Sequence, residues 1–223
     1  MNYLFVVAHP DDELLGAGAT MYELAQRSEH ISVCCLSKES VTRCDNLING
    51  LFTSHKALGH IHYYVADFEC MRFKDADHHK MVEFIESAIR DCRADAVFTH
   101  HPADLHNDHY ITSICCQEAV RLPQRQIGYE HRIQSFMMFE VPSSTDWKLN
   151  PSFDRFSPNT YSPVSVEAID YKVAAIKNSY IDVIRKHPHP RSEENIKALA
   201  VLRGSESGFC YAEAFQTIFK LGV

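Results

Sequence analysis

Near its N-terminal end the chain reads Tyr3-Leu4-Phe5-Val6-Val7-Ala8-His9-Pro10-Asp11-Asp12-Glu13. The apolar run 3–7 predicts a buried β-strand, and the helical spacing of apolar residues after Glu13 predicts a helix. An imidazole and two carboxylates therefore occupy a strand-to-helix turn, where open α/β sheets place their chemistry. A histidine and an acid there can bind a metal, and a second acid can accept a proton from water. The simpler alternative is that one aspartate only caps the helix.

A second turn repeats this layout further along the chain. Residues 95–99 predict another short buried strand, 111–120 predict a helix, and the histidine-rich turn 100–109 joins them. If both strands are parallel members of one sheet, both turns lie at the same carboxyl edge. His106 and His109 are three positions apart, so a helical turn puts them on one face. With 14 histidines in the chain, chance clustering is the alternative.

The rest of the chain also alternates between strands and helices. Further strands are predicted at 31–36, 61–65 and 133–141, and further helices at 46–58, 73–92, 166–186 and 193–202. This order predicts an α/β, Rossmann-like fold with a mainly parallel sheet, helices on both faces and an active site at the carboxyl edge of the strands. We expect one domain over 1–223. No GxGxxG follows the first strand, so a dinucleotide site is not expected.

The segment 142–163 departs from this alternation. It contains four prolines together with many Ser, Thr and Asn residues, which excludes a regular helix. It also holds the only tryptophan, Trp147, and the aromatic residues Phe153, Phe156 and Tyr161. Such rings either stack on sugars or pack a loop onto its domain, and both uses depend on the same amphipathic chemistry.

Composition narrows the classes of partner. The 223 residues are 45% hydrophobic and 23% charged, as in soluble globular proteins. A net charge of −7 without a basic run argues against nucleic acid and against an anionic membrane surface. No signal peptide or transmembrane helix is predicted, and the eight cysteines without a CxxC motif predict reduced thiols in a cytoplasmic protein. The composition is compatible with a homo-oligomer.

The two turns together resemble the PIG-L (LmbE-like) family of zinc-dependent N-acetylglucosaminyl deacetylases. The family's first motif, Ala-His-Pro-Asp-Asp, stands at 8–12. Its second motif, His-x-Asp-His, stands at 106–109, with Asn107 where the family usually has proline. Weaker similarities at 57–59, 139–147, 187–192 and 203–215 extend the resemblance over nearly the whole chain.

The resemblance implies a zinc site formed by His9, Asp12 and His109, with another divalent metal such as Fe²⁺ as an alternative. It implies Asp11 as the general base. His106 becomes the second catalytic group, which in its protonated form could share the charge of the oxyanion. Either Asp11 or His106 then protonates the leaving amine.

Four further residues are weighed for the site. Asp108 is expected either to orient a ligating histidine or only to be an acid favoured at a helix N-terminus. Arg43 stands where the family often has a sugar-contacting arginine, and Asp104 stands where mycothiol-pathway members carry a tyrosine. Arg191 either binds substrate through its planar fork or ties down a proline-rich loop.

The implied reaction is hydrolysis of an amide, which removes the acetyl group from an N-acetylated sugar. The expected substrate is a GlcNAc-like unit of glycan or sugar-nucleotide metabolism. One alternative is deacylation of another N-acyl small molecule, such as a thiol or an antibiotic precursor. A second is a catalytically silent metal- or glycan-binding protein. Asp11 argues against the second, because a mere metal site does not need it.

Overall fold

The computed structural model of the protein describes residues 1–37, 61–125, 131–147, 155–180 and 182–222. The predicted helix 46–58 and the residues Arg43 and Phe153 lie outside the described residues.

The strands of this described part form one sheet. They are β1 Asn2–Val7, β2 His30–Cys35, β3 His62–Val65, β4 Ala96–His100, β5 Ser135–Phe139, β6 Thr160–Pro163 and β7 Ala212–Lys220. Their spatial order is β3-β2-β1-β4-β5-β7-β6. Strands β1 to β5 pair in parallel, whereas β7 runs antiparallel to both β5 and β6. The predicted mainly parallel sheet is confirmed.

Helices cover both faces of this sheet, as predicted. They are α1 Asp12–Gln26, α2 His78–Cys92, α3 Asn107–Ala119, α4 Arg121–Arg125, α5 Val166–Ser179 and α6 Glu193–Ser207. In β1, Leu4 and Val6 belong to the core that α2 and α3 share, while Phe5 and Val7 belong to the core that α1 and α5 share. A central parallel strand is thus buried on both faces, which explains its continuous apolar run.

The pairing of β1 with β4 decides where the two polar turns lie. Val6 stands opposite Thr99 in a parallel ladder, so both strands end at the same edge. The Thr99 hydroxyl donates to the Val6 carbonyl at 3.0 Å, and the Ala8 N–H donates to His100 Nε2 at 3.0 Å. These two cross-strand bonds hold the ends of β1 and β4 side by side.

Several boundaries differ from the sequence prediction. Helix α2 begins at His78 rather than at 73, because Phe73–Asp75 forms a separate 3₁₀ turn and Asp77 caps the helix. Helix α5 ends at Ser179 rather than at 186, because Tyr180 leaves the helix (φ −136°, ψ 66°) with its side chain buried.

The edge of the sheet was also incompletely predicted. Strands β6 and β7 were not predicted as strands, and β6 lies at the end of the Pro/Ser-rich segment. Helix α6 runs to Ser207, five residues past the predicted end at 202, and stops at Gly208. That glycine has φ 81°, a left-handed conformation that ends helices at little cost.

A buried ion pair bridges a break in α1. The helix departs from helical geometry at Ala17 (φ −145°). Glu213 of β7 accepts the N–H groups of Ala19 at 3.2 Å and Thr20 at 2.7 Å, so it caps the second half. Lys172 of α5 donates to the Leu15 carbonyl at 2.8 Å and lies 2.6 Å from Glu213 Oε1. Together the pair satisfies backbone groups on both sides of the break.

Two further findings concern the cysteines and the helices. The cysteines within the described ranges are free thiols: Cys34, Cys35, Cys70, Cys92, Cys115, Cys116 and Cys210. Among the described helices, none combines the length and the apolar character that crossing a membrane requires.

The ion pair at the break generates a stability prediction. Glu213→Ala leaves the Lys172 ammonium and two N–H groups buried without their acceptor, so the free energy of unfolding should fall by about 3–5 kcal/mol in a urea titration. Lys177→Ala, which breaks the exposed pair with Glu193, is the control and should cost less than about 1 kcal/mol. Equal losses in both variants would contradict this account of α1.

Candidate active site

Ionisable side chains from both turns meet at the carboxyl edge of β1 and β4. They are His9, Asp11, Asp12, His100, Asp104, His106, Asp108 and His109. All are buried except His106, which is half-buried. Charged groups are rarely buried unless they are paired or bind a metal, so each of these groups needs a partner.

Asp12 lies at the centre of the cluster. Its Oδ2 atom lies 3.4 Å from His9 Nδ1 and 3.3 Å from His109 Nε2. These separations exceed the about 2.7–2.9 Å of a charge-assisted hydrogen bond. They match the roughly 3.3–3.6 Å that separates two ligands of one tetrahedral zinc when each lies about 2.0–2.2 Å from the ion. The spacing of Asp12 Oδ2 from each of these two nitrogens therefore suits the joint binding of one metal ion.

Two further carboxylates orient His9 and His109 by contacting the ring nitrogens that face away from Asp12. Asp108 Oδ2 lies 3.1 Å from His9 Nε2, and Asp104 Oδ2 lies 3.1 Å from His109 Nδ1. Each carboxylate binds the ring nitrogen that faces away from Asp12, which leaves His9 Nδ1 and His109 Nε2 towards it. Such carboxylate–histidine pairs fix the tautomer and orientation of metal ligands.

The contacts of Asp104 lie within the protein. Oδ2 also accepts from the hydroxyls of Ser144 at 3.0 Å and Thr145 at 2.8 Å, and Oδ1 accepts the His106 N–H at 2.8 Å. Both oxygens are therefore engaged within the protein. These contacts place Asp104 to orient His109, whereas its contact with substrate stays a prediction.

The carboxylates set the electrostatics of the cluster. Burial alone would lower the pKa of His9, but the neighbouring carboxylates of Asp108 and Asp12 outweigh it and hold that pKa well above its usual value. Burial is likewise outweighed at His109, where Asp12 and Asp104 raise the pKa to about 9. An environment that holds protons on two buried imidazoles also attracts a divalent cation.

The His109 ring lies in a stack of three imidazoles. His100 stacks on one side with ring centroids 4.0 Å apart, and His106 stacks on the other at 4.6 Å. Burial lowers the pKa of His100 to about 3, and its Nε2 already accepts the Ala8 N–H. A neutral His100 with an occupied Nε2 is unsuited to bind metal through that atom.

His106 caps helix α3 and is also held neutral. Its Nδ1 accepts the N–H of Asp108 at 3.2 Å, so the proton of the neutral ring sits on Nε2. Burial, aided by the charges of His109 and His9, lowers the pKa of His106. These contacts favour a neutral ring that donates from Nε2, and the protonated His106 expected from the sequence stays a prediction.

Asp11 occupies an unusual backbone position beside this centre. Its φ of 119° lies in the region that favours glycine, and the residue is buried. Burial raises the pKa of Asp11 well above its ordinary value, the charge of Asp12 raises it further, and Arg191 opposes the rise. A carboxylate with a raised pKa is better matched to accepting a proton near neutral pH.

Arg191 holds a loop, one of the two roles considered from the sequence, and its contact with substrate stays a prediction. Its Nε donates to the Pro142 carbonyl at 3.2 Å and to the Ser143 hydroxyl at 2.8 Å, so it ties down the loop after β5. Its Nη1 lies 3.9 Å from Asp11 Oδ2. Trp147 of the same loop packs edge-on against His189.

A cavity of about 330 Å³ lies next to the cluster, reaching Ala103 and Thr145, which are neighbours of Asp104. Its lining residues are Ala103, Glu140, Thr145, Asp146, Arg155, Phe156 and Arg203. Arg203 donates two hydrogen bonds of 2.7 and 2.8 Å to the Glu140 carboxylate, and its guanidinium lies over the Phe156 ring. Neither Glu140 nor Arg203 was assigned from the sequence, although an acid directly after β5 stands at the predicted edge of the sheet.

Sequence comparison assigns the family. A family model described as PIG-L: GlcNAc-PI de-N-acetylase matches residues 4–120, slightly more than half of the chain, including both turns. The chain belongs to the PIG-L family. The family is one of de-N-acetylases, and the resemblance inferred from the two motifs is confirmed.

Individual relatives agree on the fold of this PIG-L protein. The uncharacterized deacetylase YaiS of Escherichia coli K12 is 28% identical over 186 residues, which cover 78% of this chain and 88% of YaiS. GalB, the 4-carboxy-2-hydroxymuconate hydratase of Pseudomonas putida KT2440, superposes with a TM-score of 0.74 at 21% identity, covering 100% of this chain and 98% of GalB. The N,N′-diacetylchitobiose deacetylase of Pyrococcus horikoshii gives 0.72 at 15%, covering 97% and 83%. One of these structures is a hydratase and the other a deacetylase, so the reaction must be argued from the site.

The contacts of Arg191 generate a prediction about the loop after β5. Arg191→Lys keeps a positive charge but loses the Nε donor, so this PIG-L protein should lose about 1–2 kcal/mol of stability. Amide hydrogen exchange in residues 142–147 should become faster. Arg185→Lys, at an exposed arginine nearby, is the control. Unchanged exchange in the Arg191 variant would show that this side chain does not hold the loop.

Proposed function

We propose that this PIG-L protein is a metal-dependent hydrolase, with zinc as the metal, that removes the acetyl group from an N-acetylated sugar carrying a GlcNAc-like unit. The observation that carries the proposal is the position of Asp12 Oδ2, within 3.4 Å of one nitrogen on each of two imidazoles. The opposite nitrogens of both rings are held by carboxylates.

The ligands we assign are His9, Asp12 and His109. Two imidazoles and one carboxylate form a common catalytic zinc set, which leaves a further coordination position open. When bound, such a metal polarises a carbonyl group and lowers the pKa of water. Among the described residues, three other sets have all their donor atoms within 4.8 Å of one another: His9, His106 and His109; Asp12, His100 and His109; and His9, Cys70 and Asp108. We prefer Asp12 because His106 already caps α3 through Nδ1.

Asp11 is the general base in this proposal. Its carboxylate accepts a proton from the attacking water, and its raised pKa favours that transfer. His106 donates from Nε2 to the oxygen on which negative charge develops. Because His106 is neutral, the acid that protonates the leaving amine is Asp11, which then carries the proton taken from water.

The substrate class rests on the cavity and on the relatives. The lining of the cavity combines the aromatic ring of Phe156 with the ion pair of Glu140 and Arg203. Apolar ring faces and fixed polar groups together suit a sugar ring with its hydroxyls. The matched family is described by a GlcNAc-containing substrate, and the Pyrococcus horikoshii relative is a deacetylase of a GlcNAc disaccharide.

We also propose one domain over the whole chain, since every described strand joins one sheet. The free cysteines are consistent with a reducing compartment and hence with the cytoplasm.

The experiment that tests the function combines metal analysis with amine release. The purified protein is assayed for bound zinc and iron, then incubated with N-acetylglucosamine, N,N′-diacetylchitobiose, and nucleotide- and lipid-linked N-acetylglucosamine. We expect stoichiometric metal and release of a primary amine and acetate from at least one of these compounds. A non-sugar N-acyl compound is assayed in parallel, and amine release from it alone would contradict the sugar assignment. Bound metal without any amine release would contradict the proposal that the protein is an enzyme.

The proposed ligands generate a metal-binding prediction. His109→Ala removes one of three ligands, so metal content should fall well below one ion per chain and amine release should be lost. The fold should survive, which circular dichroism can check. His79→Ala on the exposed face of α2 is the matched control and should keep both metal and activity. Wild-type metal content in the His109 variant would remove the proposed site.

The role of Asp11 generates a second prediction, which separates chemistry from metal binding. Asp11→Asn is nearly isosteric but cannot accept a proton, so kcat should fall by about a hundredfold or more while metal content stays unchanged. Asp67→Asn, at an exposed position, is the control. Parallel loss of metal and activity would make Asp11 a ligand instead of a base.

A further inference from the structure

The backbone conformation of Asp11 must be stabilised by contacts with other residues. A φ of 119° with ψ −28° is rarely adopted by residues with a side chain, and it persists only where surrounding contacts enforce it. The residue that meets its backbone is Glu13. Glu13 Oε2 accepts the N–H of Asp11 at 3.1 Å.

The other oxygen of Glu13 is held by a distant part of the chain. Oε1 accepts the hydroxyl of Tyr180 at 3.2 Å. Tyr180 is almost fully buried directly after α5, and Glu13 itself has no exposed surface. The early end of α5 therefore brings a hydroxyl beneath the turn that carries Asp11.

Helix capping alone does not explain this arrangement. A glutamate in the first turn of a helix can reach back to the N-cap N–H, and an exposed side chain suffices for that role. Here the carboxylate is buried, which disfavours its charged form, and it is anchored at both oxygens. The N-cap residue it holds is in a strained conformation and is also the proposed base.

We infer that Glu13 is a positioning residue for catalysis. It links Tyr180 to the backbone of Asp11 and holds Asp11 in the conformation that keeps its carboxylate beside Asp12. The inference rests on the proposed function, because it requires Asp11 to act as the base. Glu13 does not touch substrate and is not a metal ligand in this assignment.

Three variants separate positioning from packing. Glu13→Gln keeps an oxygen that can accept the Asp11 N–H. Glu13→Met keeps the size but has no oxygen, and Tyr180→Phe removes only the second anchor. A displacement of about 1 Å at a reacting group costs on the order of a hundredfold in rate. We therefore expect kcat to fall about tenfold to a hundredfold in Glu13→Met, with KM and metal content little changed, and Glu13→Gln to recover most of the loss.

Crystal structures of the wild type and of Glu13→Met provide a readout that does not depend on activity. In the variant, Asp11 should leave the region near φ 119° and its carboxylate should move away from Asp12. An Asp11 that keeps its backbone conformation and side-chain position in Glu13→Met would overturn the inference, even if the variant were less stable.

A double-mutant cycle with Asp11→Asn completes the test, with N,N′-diacetylchitobiose and N-acetylglucosamine as the probes. If Glu13 acts through Asp11, adding Glu13→Met to Asp11→Asn should produce no further loss of kcat. A full additional loss would show that Glu13 acts elsewhere. Wild-type kcat in Asp11→Asn alone would instead reject the proposed base, and a normal Glu13→Met beside an inactive Asp11→Asn would reject only the positioning role.

Discussion

The parallel pairing of β1 with β4 is the constraint on which the site depends. It brings together two turns that are far apart in the sequence and ends both strands at the same edge. Only in this register does Asp12 from the first turn meet His109 from the second. The pairing is secured by apolar packing on both faces of β1 and by the cross-strand bonds of Thr99 and His100.

The same edge concentrates buried charge, which a fold retains only at a cost in stability. The cost in stability is reduced because the imidazoles of His9 and His109 each lie between two carboxylates. Asp108 and Asp104 lie behind His9 and His109, and Asp12 lies in front of both rings. The excess of negative charge over positive charge at the centre is what a bound divalent cation would balance.

The sequence predicted the central features because they depend on local patterns. The apolar run of β1 and the polar residues directly after it define a strand end, and the second turn repeats the pattern. Strand β6 escaped prediction because it lies at the end of the proline-rich segment, and β7 escaped prediction because two consecutive helices precede it instead of a strand–helix alternation. The contacts of Asp104 could not be predicted because its partners Ser144 and Thr145 lie on a loop that only the folded chain brings near. The link between Glu13 and Tyr180 was invisible for the same reason.

The central claim is that one metal ion is bound by two imidazoles and one carboxylate at the edge of β1 and β4. X-ray absorption spectroscopy of the zinc-loaded protein tests it most directly. Our account predicts a single zinc per chain with two imidazole ligands, the other first-neighbour scatterers being oxygen at about 2.0–2.2 Å, and no sulfur. A spectrum with three imidazoles or with a thiolate would contradict the assignment of His9, Asp12 and His109.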